Sequence, residues 1–293
     1  MIKIVQTKKK NETKTLIAIG ILSITLISTT LLSGCTQNQN GLSIVVIGRD
    51  SASGTHEFFW EHVMGKENFT SKLQEKNSNG GIYQTVTQTP GAIGYVGLGY
   101  VDSGVKALKI NNITANAENV LAGTYPIARE LYLFTIGNAS GLVKEFIEYI
   151  MSTEGQEIVA EEGFVPLPTS QLYNSSNKNP SGSLTIMGST TVFPIIEKVK
   201  DAFKVMYPQI SITVSSTGSG AGITAVIAGT VDIAMSSRDL KSSEAGKGLM
   251  KYTIASDGIA IIVNPENIYV DNITMEQLKA IYKGEITNWD ELT

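Results

Sequence analysis

Residues 43–63 read SIVVIGRDSASGTHEFFWEHV. An apolar run long enough for a strand gives way to a Ser/Gly turn, and the turn opens an amphipathic helix. The same layout recurs at 184–207 (LTIMGSTTVFPIIEKVKDAFKVMY) and at 210–228 (ISITVSSTGSGAGITAVIA). Each helix start presents unpaired N–H donors and the positive end of a dipole. Glycine lets an anion approach the backbone there, and Ser/Thr hydroxyls add donors. Three such turns converging on one cleft would form a site for a tetrahedral oxyanion.

Working outward, 92–96 (AIGYV) follows a Pro90-Gly91 turn and reads as a strand, as does 130–136 (ELYLFTI). Residues 142–151 and 154–161 carry helical apolar periodicity, while 77–81 (NSNGG) reads as a loop. Beyond 183, strand and helix alternate through 232–235 and 259–263, which predicts a mostly parallel sheet with helices on both faces. Residues 274–282 form a helix with a Thr N-cap signal and Glu276 in the first turn. The stretch 169–183 (TSQLYNSSNKNPSGS) is polar and reads as a linker. The three turns share a layout but not a sequence, so no internal repeat is present.

The chain has 293 residues, enough for one large or two ordinary domains. Lys3, Lys8, Lys9, Lys10 and Lys14 precede an apolar stretch from 16 to 32, which ends in Leu32-Ser33-Gly34-Cys35. A basic start, an apolar core and a small-residue stop describe a secretory signal over 1–34. The LSGC ending resembles a lipobox, which makes Cys35 the lipid attachment site. The chain is then expected on the outer face of the cell membrane, with 35–42 as a tether. Cys35 is the only cysteine, so the core has no internal disulfide to lean on. Without 1–34 the chain carries 18 basic and 26 acidic residues, net −8. That argues against nucleic acid as a partner. A small anion stays open, because local dipoles rather than net charge can hold it.

The usual catalytic and cofactor patterns are missing. There is no G-x-x-x-x-G-K-S/T, and the Gly218–Ile223 run departs from G-x-G-x-x-G at its last position, so no nucleotide cofactor is expected. The two histidines, His56 and His62, lie six apart and do not stack on one helical face, so no metal is expected. No G-x-S-x-G elbow surrounds Ser53, which disfavours a hydrolase. Arg49, at the end of an apolar strand and four residues before Ser53-Gly54-Thr55, could grip an oxyanion through two parallel N–H donors, or pair with Asp50. Arg238 has the same ambiguity and a weaker case.

The residues GSTTVFP (188–194), SSTGSGAGI (215–223), TVDIAMSSRDL (230–240) and ASDGIAIIVNP (255–265) resemble the substrate-binding proteins of phosphate ABC transporters. So do QLKAIYKGEITNWDEL (277–292), GRDSASGTHEFF (48–59), TPGAIGYVGLGYV (89–101) and YPIARELYLFT (125–135). The resemblance implies a type II periplasmic-binding-protein fold, two α/β domains joined by a hinge with the ligand cleft between them. It implies a binding protein rather than an enzyme, delivering inorganic phosphate to ABC permease subunits. Carried over residue by residue, the family's first anion turn falls on Ser189, Thr190, Thr191 and Val192. The second falls on Ser219 and Gly220, and the third on Arg49, Ser53, Gly54 and Thr55. Some members carry an Asp where this chain has Ser237. That Asp accepts a hydrogen bond from protonated phosphate, so here Ser237 would have to accept. Sulfate, molybdate and tungstate therefore remain as alternative ligands, and a phosphate sensor without a transporter remains as an alternative role.

The order of these motifs is rotated relative to the family. Its second half occupies about 43–169 here and its first half about 183–293, with 169–183 joining what are normally the two ends. Either the chain is a circular permutant or it is a piece of a tandem array. Exposed, adjacent termini make permutation physically cheap. The expected domains are a split one, 43–125 with 265–293, and a contiguous one, 126–264.

Overall fold

The computed structural model describes residues 41–176 and 178–292. The leader at 1–34 and Cys35 lie outside the described residues.

β1 (Val45–Arg49) feeds α1 (Gly54–His62), and β2 (Gln74–Lys76) feeds α2 (Asn79–Gln88) and β3 (Ala92–Gly97). Short strands β4 (Lys106–Ala107) and β5 (Lys109–Ile110) and helix α3 (Ala117–Leu121) lead into β6 (Ala128–Ile136). Helices α4 (Gly141–Ile150) and α5 (Thr153–Glu161) follow. Past the polar stretch come β7 (Ser183–Gly188), α6 (Phe193–Met206), β8 (Ser211–Ser216), α7 (Ser219–Ile227) and β9 (Ile233–Ser236). The long β10 (Leu249–Val263), β11 (Asn272–Ile273) and α8 (Met275–Lys283) complete the regular elements.

The main sheet has the order β2-β1-β3-β10-β6-β9-β7-β8, with β4 also on β10. β1 runs parallel to β2 and β3, and β7 runs parallel to β8 and β9. β6 and β10 run antiparallel to their neighbours and join the two parallel sets. The sheet is therefore more mixed than simple β–α alternation predicts. β10 begins at Leu249 rather than at 259, because the half-polar run up to Gly258 pairs along the whole of β6. Residues 77–81 are not all loop. α2 starts at Asn79, capped by Ser78, whose side chain accepts the Gly81 N–H.

Two large apolar cores form on either side of the β6–β10 crossing. Ile47, Phe59, Ile82, Tyr95, Ile261, Tyr282 and Trp289 belong to the first. Leu131, Phe146, Ile186, Ile196, Phe203 and Ala255 belong to the second, and a smaller group with Ile223 and Val226 packs under α7. β6 passes from the first core at Ile127 to the second at Leu131, and β10 returns from Ala255 to Ile259. Arg129 and Asp257 are register partners within that crossing.

The last described segment completes the first lobe. α8 has a reciprocal Thr274–Gln277 capping box and ends on Gly284, whose left-handed backbone (φ 78°) suits glycine. Ile44 N–H donates to Thr287 O at 2.7 Å and Trp289 N–H to Leu42 O at 3.0 Å. The Trp289 ring is fully buried, with Nε1 donating to Gly91 O at 3.1 Å. The Tyr282 hydroxyl donates to Ile47 O at 3.0 Å.

Candidate oxyanion site

The three strand–turn–helix units converge where the lobes meet. At the start of α1, Ser53 Oγ accepts the N–H groups of Thr55 (3.1 Å) and His56 (3.2 Å). Ahead of α6, Ser189 Oγ accepts those of Thr191 (3.1 Å) and Val192 (3.3 Å). Gly218 precedes α7 at φ 93°, a conformation that glycine adopts without strain. The Gly220 N–H donates across the lobes to Ala52 O at 3.1 Å. The N–H groups of Thr55, His56, Thr191, Val192 and Gly220 are thus engaged within the protein.

From the first lobe come Arg49, Gly54 and Thr55. From the second come Thr190, Thr191, Ser219 and Ser237. Arg49 Nη1 donates to Thr190 Oγ1 at 3.1 Å, and Thr55 Oγ1 lies 3.2 Å from Thr191 Oγ1. A Cβ added to Gly54 would run into Ser219 Oγ and come within 2.8 Å of Ser237 Oγ. Ser219 Oγ accepts the Ser237 N–H at 3.1 Å, and the two hydroxyls lie 3.4 Å apart. Ser53 and Ser189 act as caps at the rim of this cluster. Val192 packs into the second core, and Gly220 sits at the α7 start against Ala52.

The two buried arginines differ. Arg49 is 1% exposed and spends three of its five N–H donors on Lys76 O, Asn77 O and Thr190 Oγ1. Two remain uncommitted, and among the described residues no carboxylate forms an ion pair with it. Burial lowers its pKa, with adjacent Asp50 pulling the other way. Arg129 commits every N–H. Nε and Nη2 reach Asp257 Oδ2 at 3.0 and 2.8 Å, Nη1 reaches Thr55 Oγ1 and Ser237 O at 3.0 Å each, and Nη2 also reaches Thr191 Oγ1 at 3.3 Å. Burial lowers Arg129 and raises Asp257, each opposed by the other's charge. Asp257 Oδ1 accepts the Leu98 N–H at 2.9 Å.

Asn79, fully buried on α2, donates through Nδ2 to Thr190 Oγ1 (3.1 Å) and Thr191 Oγ1 (3.0 Å), and its Oδ1 accepts the Gly97 N–H. The Tyr100 hydroxyl, pushed up to about 12 by burial, donates to Thr190 O at 2.7 Å. Tyr95 OH accepts the Arg49 N–H at 3.0 Å. Sequence reading missed Asn79, Arg129, Asp257 and both tyrosines. Arg129 is followed by Glu130 and Asp257 by a glycine after Ser256, so neither stood out locally as a buried charge, and Asn79 gave no signal either.

Arg238 resolves differently from Arg49. It forms a two-pronged pair with Glu244 at 2.7 and 2.8 Å and is a structural residue. His56 Nδ1 lies 2.7 Å from Arg49 O, and burial lowers its pKa. His62 stacks on Phe58. A surface groove lined by Phe58, Trp60, Tyr132 and Arg238 touches the cluster only at Arg129.

Residues 6–154 and 174–293 match the model of the PBP superfamily domain. Phosphate-binding protein PstS 2 of Streptococcus pneumoniae serotype 4 is 36% identical over 287 residues, spanning 95% of this chain and 97% of the relative. PstS 2 of Streptococcus agalactiae serotype V is 34% identical over 300 residues, spanning 97% and 99%. The crystal structure of a phosphate ABC transporter phosphate-binding protein from S. pneumoniae TIGR4 superposes with a TM-score of 0.69 at 36% identity, covering 86% of this chain and all of that one. With two α/β lobes meeting at a cluster of buried hydroxyls and an arginine, the chain belongs to the PBP superfamily and, within it, to the family of phosphate-binding proteins of phosphate ABC transporters.

Proposed function

We propose that this chain captures inorganic phosphate between its lobes and delivers it to the permease subunits of an ABC importer, held outside the membrane by lipid on Cys35. The observation that carries this reading is Arg49: a buried cation with no ion-pair partner among the described residues and two uncommitted N–H donors, facing Thr190. Arg129 and Asp257 cancel, so the cluster keeps one net positive charge. Burying an unpaired charge is costly, and an anion relieves the cost. The ligands in this reading are Arg49, Thr55, Thr190, Thr191, Ser219 and Ser237 through side chains. Ser53, Gly54, Ser189, Val192 and Gly220 shape the three turns around them.

The working domains in this reading are 43–125 with 265–293, and 126–264, except that Ile127 and Ile259–Val263 of the crossing strands pack in the first core. The PstS 2 relatives align with this order of halves over nearly their whole length, and the pairing of 42–44 with 287–289 supports a first lobe closed by both ends of the described chain. Ser237 in place of an acidic acceptor favours a second reading, binding of sulfate, molybdate or tungstate. Titration calorimetry against these oxyanions, chloride and acetate tests the proposal. Phosphate is expected to bind far more tightly than chloride or acetate, and no heat with any oxyanion would overturn it. Wild-type protein recovered without lipid on its N-terminus would overturn the anchoring.

A further inference from the structure

The described chain enters the first lobe at the end of the sheet remote from the cleft. Val45 pairs with Ala92 and Val46 with Ile93, and Ile93 also pairs with Val263. Val46, Ile93 and Val263 therefore form one row across β1, β3 and β10. β1 runs from this end to Arg49 at the cleft, a rise of roughly 13–15 Å. β10 ends in the same row, two strand spacings from β1, or roughly 10 Å. The turn that leaves β10, residues 264–271 (NPENIYVD), thus stands beside the point where the chain begins its first strand.

That turn is tied down along its length. Asn264 Nδ2 donates to Val86 O and Thr87 O at 3.0 Å each, and its Oδ1 accepts the Glu266 N–H at 3.0 Å. The Asn267 N–H donates to Asn264 O at 2.9 Å, and Asn267 Oδ1 accepts the Tyr269 N–H at 3.0 Å. Lys106 Nζ donates to Asn267 O at 2.9 Å and pairs with Asp271 at 2.6 Å. Held between these ties, Ile268 is 86% exposed and Tyr269 is 36% exposed. A single exposed isoleucine is ordinary on a protein surface. The position of this one gives it a use. Five residues, 36–40, separate Cys35 from Gly41, and that length of chain reaches at most about 20 Å.

We propose that the 264–271 turn is a membrane-contact site, with Ile268 and Tyr269 entering the headgroup boundary of the bilayer to which Cys35 is anchored. This rests on the anchoring reading above. A tether that short keeps this end of the first lobe at the bilayer, where an aliphatic side chain gains burial and a tyrosine its favoured interfacial position. The charges on and beside the turn are mixed, Glu266 and Asp271 against Lys106 and Lys109, so apolar burial rather than attraction to anionic lipid carries the contact. The cleft, at the other end of β1, stays clear of lipid. The first lobe becomes the fixed one and the second lobe the one that swings.

The test uses the full lipidated chain in phosphatidylcholine vesicles, with a fluorescent label on Glu266→Cys, the thiol of Cys35 being taken by lipid. A label on Val205→Cys, exposed at the end of α6 in the second lobe, is the comparison. A quencher carried on lipid headgroups should dim the 266 label at least about threefold more than the 205 label, as entry of the turn into the headgroup boundary requires. The difference should persist in about 1 M salt, where the Debye length is about 3 Å. Adding Ile268→Ser/Tyr269→Ser should remove it while the protein still sediments with the vesicles and melts cooperatively. Equal quenching at 266 and 205, loss of the difference in salt, or no change on adding the serines overturns the inference. Shielding of the 266 label from aqueous iodide that grows with protein density, without quenching from lipid, means that the turn meets a second copy, which also overturns it. Wild-type protein that does not sediment with vesicles instead overturns the anchoring on which the inference rests.

Discussion

Replacing Arg49 by alanine removes the two N–H donors that no protein group uses. Hydrogen bonds to charged groups contribute about 1.5–3 kcal/mol. That corresponds to a rise in phosphate Kd of roughly 10- to 150-fold. The fold should feel less. Lys76 O and Asn77 O lose a donor each, but both bonds lie in partly buried surroundings that water can enter, and a desolvated cation disappears with them. The effect should therefore register in ligand-induced stabilisation. At phosphate one hundred times the wild-type Kd, the wild type gains about 2.7 kcal/mol, and the variant should gain only about 0.3–1.4 kcal/mol. Calorimetry gives the affinity, and thermal unfolding with and without phosphate gives the linkage. An unchanged Kd in a variant of wild-type apo stability would refute the reasoning.

Gly54→Ala would drive a methyl group into the Ser219 and Ser237 hydroxyls across the cleft. Unfolding without ligand should report a loss of about 1–3 kcal/mol from overpacking, and oxyanion affinity should fall at least tenfold, a loss of about 1.4 kcal/mol; equal affinity would show that this contact is not needed for binding. Trp289→Ala removes a fully buried ring and its Nε1 bond to Gly91 O, so urea unfolding should report a loss of about 3–5 kcal/mol. Deleting 265–293 should abolish phosphate binding in calorimetry although it removes no proposed ligand, and a monomeric deletion that binds normally would exclude this segment from the working fold. Burial makes His56 harder to protonate in the fold than in the unfolded chain. Its stabilisation is present above its unfolded pKa near 6.5 and is lost as pH falls below it. His56→Asn should show a shallower acid decline in the urea midpoint, and an unaltered acid limb would remove His56 from that account. Cys35→Ser should shift the protein out of the membrane fraction or leave a precursor of higher mass, and unchanged fractionation would rule out lipid on Cys35.

The sequence by itself determined the local units. Apolar runs of period two, Ser and Thr caps and glycines at turns are short-range signals, and β1–α1, β7–α6 and β8–α7 stand where residues 43–63, 184–207 and 210–228 point to them. The turn residues named from sequence meet in one place because β1 and the β7–β8 pair run in opposite senses on either side of the β6–β10 crossing, so their C-terminal turns face one another. Tertiary structure decided the rest. β10 is long because β6 pairs with it, and its polar first half has no periodicity of its own to announce a strand. Asn79 lies in NSNGG, which local rules read as a loop; its helix and its role depend on Ser78 capping and on threonines 111 and 112 residues away. Arg129 finds Asp257 at a separation of 128 residues, and Arg49 finds Thr190 at 141. Which arginine is neutralised and which keeps free donors is set by these distant partners. Hydrogen-bond partners are matters of contact rather than of sequence neighbourhood, so the hydroxyl network follows from the packed lobes alone.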